Sequence, residues 1–461
     1  MVATASARPK PEPAPVSNIK GNSMTDASTV SHAFWAPFTP MRQFQQQPMM
    51  FESAEGMYYR TPDGRKILDA MAGLWCVNAG HGQPSIVQAI QEAAARLDFV
   101  SSFKMSHPAA QAMSDALIAL APEGMTNVFF TNSGSEAVDT ALKIARAYHQ
   151  ARGDSRRTKF IGRAKGYHGM GFGGLSVSGI GRQKRDFGPL LGEVSHLPLP
   201  YDATMRFSAG QPEQGASYAE ALAQLLDIQD PGTVAAVIVE PVTGSGGVYP
   251  PPVGYLQRLR ELCTQHGVLL IFDEVITGFG RVGGNFAAQV FGVTPDLMTV
   301  AKGLTNGAVP MGGVIVSSDV YQAFMAGPPQ AVELMHGYTY SAHPLACAAG
   351  LATLRLHQEL GINAMVQEIS PFWQSQALAL KGLPHVNDVR SIGLLCAVDV
   401  APRAGAAGMR GADVARYCFE HGVLVRASGD MIVISPPLIV SQAQVEQIFE
   451  CLRQALLVDG I

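Results

Sequence analysis

Paired cysteines are missing from this chain. Its six cysteines, Cys76, Cys263, Cys347, Cys396, Cys418 and Cys451, include no Cys-x-x-Cys spacing. That argues against a zinc site and a disulfide scaffold, and favours a reducing compartment. The twelve histidines hold no His-Glu-x-x-His, so no metal is expected. Charge is scarce: Asp, Glu, Lys and Arg make up 15% of the residues and the formal net charge is −4. With no basic stripe there is no field for nucleic acid. No apolar run reaches the 18 or so residues of a membrane helix; the longest, such as "GVLLIFDEVI" (267–276), are strand-length and contain acids. Residues 1–28 have hardly any large apolar side chain. They cannot offset their ordering entropy and have no secretory h-region, so they read as a solvated tail. A cytoplasmic protein acting on small molecules is the expectation.

What is present is a chain of 461 residues, 47% hydrophobic, long enough for two or three domains. Tyr58-Tyr59, a Pro62-Asp63-Gly64 turn and Lys66–Asp69 predict a β-hairpin. Helical "PSIVQAIQEAAARL" (84–97) precedes the strand "TNVFFTN" (126–132) and the helix "SEAVDTALKIARAYHQAR" (135–152). "VAAVIVEPV" (234–242) and "GVLLIFDEV" (267–275) are continuous apolar runs with a helix between them, the pattern of strands buried on both faces. This alternation predicts an α/β domain with a mostly parallel sheet. After about residue 348 a helix and hairpin-like strands suggest a second, α+β domain.

Lys302 is the one basic residue in "VTPDLMTVAKGLTNG" (293–307). It admits two readings: a snorkelling surface lysine, or an amine kept neutral enough to attack a carbonyl. "VFFTNSGSEAVDTALK" (128–143) carries Ser133, Gly134 and Ser135 between a strand and a helix. Backbone N–H groups there suit a phosphate, although Ser133 and Glu136 also form an ordinary Ser-x-x-Glu cap. Asp273 ends a buried strand, as a ligand-facing carboxylate or as a cap or ion pair. Two Gly-x-Gly-x-x-Gly matches, 169–174 and 278–283, lack the crossover helix of a dinucleotide site. A phosphate cradle, a buried acid and a sequestered lysine together are what a pyridoxal phosphate enzyme needs. Such an enzyme also needs an aromatic against its ring, and "AKGYHGMG" supplies Tyr167 with His168 beside it.

Together "TNSGSEAVDTALK", "GYHG", "EPVTGSGG", "FDEVITGFGRVG", "LMTVAKGLTNG" and "HGYTYSAHPLACAA" resemble the class III aminotransferases, in the ω-amino acid:pyruvate branch. The similarity runs from about residue 33 to the C-terminus. It implies fold type I: a large domain (86–347) with a seven-stranded sheet, and a small domain built from residues 29–85 and 348–461. A homodimer, and possible pairing of dimers into a tetramer, is implied too. The resemblance makes Lys302 the Schiff-base lysine and Asp273 the partner of the pyridinium nitrogen. Ser133, Gly134 and Ser135 hold the phosphate of pyridoxal 5′-phosphate, Tyr167 stacks on one ring face and Val275 presses on the other. Glu240 stands near the active-site hydrogen bonds, and Thr339 reaches the neighbouring subunit's phosphate. Thr243 departs from the family's usual glutamine in Glu-Pro-x-Gln-Gly. Arg426 in "VLVRASGDMIVISPP" suits a bidentate carboxylate clamp, its plainer reading being an edge-strand surface arginine. Trp75 and Phe38 resemble pocket walls, with core packing the alternative for Trp75. The implied reaction moves an amino group from a β-alanine-like donor to pyruvate. An aminomutase, a decarboxylase, or a transaminase for another donor such as 4-aminobutyrate remains open.

Overall fold

The computed structural model describes residues 33–461; the expected tail at 1–28 lies outside the described residues. The described residues fall into two units, 33–53 with 60–65, and 54–59 with 66–461. In the first unit lie the helix Met41–Gln46 and the expected turn, where the Gly64 N–H donates to Thr61 O at 2.9 Å. Gly64 has φ 83°, a conformation that glycine adopts freely.

Seven strands dominate the second unit: β1 (Met125–Thr131), β2 (Lys159–Arg163), β3 (Val194–Leu197), β4 (Val234–Val239), β5 (Leu269–Asp273), β6 (Leu297–Val300) and β7 (Gly312–Ser317). Their order in the sheet is β1-β7-β6-β5-β4-β2-β3. All neighbours pair in parallel except β7, which runs antiparallel to β6 and to β1. The apolar runs follow from this geometry. Along β4, Val237 and Val239 enter one core while Ala236 and Ile238 enter another. On β5, Leu270 and Phe272 likewise oppose Leu269 and Ile271. Successive side chains point to opposite faces and both faces are covered, so no polar alternation survives.

A third core joins Met57, Leu68 and Ala70 to side chains from Ile362 to Leu456, so distant stretches of chain build it together. Its sheet holds Arg426–Ala427, Met431–Ile434, Leu395–Val400, Val386–Ile392 and Ser208–Ala209, in that order. Helices Ile362–Leu378, Met409–Glu420 and Gln442–Leu457 were not expected from the sequence. The first carries Pro371 inside it, which masks its periodicity, and Gly361 at φ 65° separates it from Pro344–Leu360.

Candidate active site

The carboxyl ends of β1, β2, β4, β5 and β6 lie along one edge of the sheet, where open α/β sheets hold ligands. Ser133, Tyr167, Glu240, Asp273 and Lys302 follow these ends. Asp273 is 5% exposed, and three donors fix its carboxyl group. His168 Nδ1 donates to Oδ2 at 2.8 Å, while Thr299 Oγ1 and the Val275 N–H donate to Oδ1 at 3.0 and 3.2 Å. The other ring nitrogen of His168 is buried without a partner among the described residues.

Lys302 opens a single 3₁₀ turn two residues past β6, at φ 50°. This left-handed conformation costs a side-chain-bearing residue on the order of 1 kcal/mol. The side chain is partly exposed. Among the described residues its amine makes no hydrogen bond or ion pair; Nζ stands 4.9 Å from the Trp75 ring centroid. Burial lowers the amine below its ordinary value, against the pull of Cys76, Asp273 and Glu240, and Arg426 adds to the lowering. The Arg426 Cζ lies 4.8 Å from the same Trp75 ring. Its guanidinium also finds no acceptor among the described residues, and burial lowers it. Trp75 itself is 3% exposed at φ 59°, with Nε1 buried and unpaired among the described residues. It is packed in the core, with two cations close to its ring.

Glu240, buried one residue past β4, accepts the Tyr167 N–H on Oε1 and the Gly244 N–H on Oε2, each at 2.9 Å. Burial raises its carboxyl group. Arg163 donates to Glu240 O at 2.6 Å and to Thr243 Oγ1 at 2.7 Å, so the Thr243 hydroxyl is engaged in holding this loop. At β1, Ser133 Oγ caps the helix Gly134–Ala151 by accepting the Glu136 N–H at 3.2 Å. The N–H groups of Gly134 and Ser135 stay unpaired among the described residues. The cap therefore leaves two donors available at this terminus. Ser135 Oγ accepts the Met170 N–H at 3.1 Å. A Cβ on Gly134 would stand 3.1 Å from Val275 Cγ1, so a larger residue here would press on Val275.

Residues 41–456 match the profile of the aminotransferase class-III family. The chain belongs to the class-III aminotransferases. It is 52% identical to an omega-aminotransferase of Caulobacter vibrioides over 425 residues, 92% of this chain and 97% of the relative. It is 44% identical to a beta-alanine–pyruvate aminotransferase of Pseudomonas aeruginosa, over 92% of this chain and 95% of that one. A PLP-bound amine transaminase from an uncultivated Pseudomonas species superposes with a TM-score of 0.86 at 33% identity, covering 93% of this chain and 99% of the other. This class-III aminotransferase has the fold type I architecture, is a transaminase, and takes pyridoxal 5′-phosphate as its cofactor.

The residues present fit that group. The two unpaired N–H groups at an 18-residue helix N-terminus suit a phosphate. A buried carboxyl group suits a ring nitrogen, and an amine without an acceptor suits a carbonyl carbon. Phe38 lies in the smaller unit, 74% exposed at φ 51°. Thr339 lies in an exposed turn and joins none of the hydrogen bonds described above. Sequence reading missed Thr299, Arg163 and Cys76. Thr299 left a signal, being the one polar residue of β6.

Proposed function

We propose that this transaminase is an ω-aminotransferase that moves the amino group of a β-alanine-like donor to pyruvate, giving a semialdehyde and alanine. Arg426 carries this assignment: a guanidinium without an acceptor among the described residues, 4.8 Å from the same Trp75 ring that the Lys302 amine approaches to 4.9 Å, suits a carboxylate held apart from the reacting carbon. The names of the relatives from C. vibrioides and P. aeruginosa support it.

When bound, pyridoxal phosphate supplies an electron sink for the pair left at the donor's amino-bearing carbon. Ser133, Gly134 and Ser135 would hold its phosphate, Asp273 its ring nitrogen, and Tyr167 and Val275 its two faces. Glu240 fixes the Tyr167 backbone, and His168 and Thr299 fix Asp273. Lys302, whose amine burial lowers below its ordinary value, takes the proton from the amino-bearing carbon and later returns one. Arg426 orients the carboxylate of donor or acceptor. We further infer a cytoplasmic homodimer. All six cysteines are free thiols, as a reducing compartment requires. Phe103, Met335 and Tyr340, near Thr339 or its loop, are each more than half exposed, as an unpartnered interface would be.

The test is spectroscopic. The visible band of the bound cofactor is expected to bleach with β-alanine and return with pyruvate, and Lys302→Ala to abolish both changes. A band indifferent to β-alanine yet bleached by 4-aminobutyrate would move the donor assignment, and carbon dioxide release would replace transamination with decarboxylation.

A further inference from the structure

The hairpin that carries Arg426 is held at its tip from two sides. On one side, Asp430 accepts the Gly408 N–H on Oδ2 at 2.5 Å and the Gly411 N–H on Oδ1 at 3.2 Å, at the start of the helix Met409–Glu420. The backbones meet there, because a Cβ on Gly411 would stand 2.1 Å from Gly429 O. On the other side Arg182 Nη2 donates to Ser428 Oγ at 2.6 Å. Beside it lies a cavity of about 590 Å³, lined by Lys165, Arg182, Tyr249, Ser428, Asp430 and Met431. Arg182 therefore grips the tip at the edge of open space rather than from within a packed core. Ser428 is two residues from Arg426, and Arg182 is itself a cation whose like charge bears on the Arg426 guanidinium.

We propose that Arg182 and Ser428 are positioning residues for Arg426: their hydrogen bond latches the hairpin so that the Arg426 guanidinium stays over Trp75 and meets a substrate carboxylate. Arg182 touches neither substrate nor cofactor in this scheme. Its charge and its grip act together, one directing Arg426 away from the tip and the other denying the tip the adjoining space. The latch thereby sets specificity for carboxylate-bearing substrates. This rests on the assignment of Arg426 as the carboxylate ligand.

Steady-state kinetics of the holoenzyme with pyruvate, together with inhibition by propionate as an unreactive carboxylate, test it. Arg182→Ala and Ser428→Ala are each expected to lower kcat/KM for pyruvate about tenfold, through KM with kcat held, as loss of one charge-assisted contact would. The inhibition constant of propionate rises in step, and Ser428→Thr, which keeps the hydroxyl, restores both. In an Arg426→Ala background, Ser428→Ala should add nothing further. An equal loss in both backgrounds would make the contact merely structural and overturn the latch, as would silence of Ser428→Ala where Arg426→Ala is damaging. If Arg426→Ala itself leaves pyruvate and propionate unaffected, the assignment of Arg426 fails first.

Discussion

Glu274 follows Asp273 directly but faces away from the chemistry. Its carboxyl group accepts the Ala287 and Ala288 N–H groups at 3.0 and 2.7 Å, and the Thr277 hydroxyl. Burial outweighs these donors and pushes it up from 4.5 to about 7. The folded state therefore binds the proton more tightly than the unfolded chain. Its contribution is full below pH 4.5 and is lost as pH rises through about 7, on the order of 3 kcal/mol. Glu274→Gln, which cannot ionise, is expected to flatten that slope in melting temperatures taken across this range; an unchanged slope would show that other groups set it. Lys302 and Asp273 were legible in the sequence because a charge stood where only apolar residues belonged. Thr299, Arg163 and Arg182 were not, because their partners lie 26, 77 and 246 residues away along the chain. Sequence order says nothing about which side chains folding will pair.

At the scale of elements, one terminus of the helix Gly134–Ala151 is open to two jobs. Ser133 satisfies the Glu136 N–H, and the two N–H groups before it remain free among the described residues. Ser133→Ala should cost the apo protein about 1 kcal/mol in denaturant unfolding, the usual worth of a cap, and should also weaken pyridoxal phosphate binding. Loss of stability with unchanged cofactor affinity would leave the cap as its whole role. The strands β4 and β5 were readable because burial on both faces leaves an unbroken apolar run. The helix Ile362–Leu378 was not, since Pro371 interrupts its pattern while packing on the rest of the third core holds it helical. Short hairpins suffer the reverse problem. Arg426–Ala427 is a two-residue strand whose existence depends on its neighbour Met431–Ile434.

For the molecule as a whole, Thr339 in an exposed turn and the exposed Phe103 and Tyr340 lead to an expectation about assembly. Dilution should release cofactor as dimers separate, measured by fluorescence of the bound group alongside sedimentation; a fully loaded, fully active monomer would refute a shared site. The sheet itself has a further consequence. The site is a meeting of five strand ends and one hairpin, recruited from positions as far apart as Ser133 and Arg426. No single segment of the chain holds the whole set, so a truncation anywhere between Ser133 and Arg426 takes part of it away.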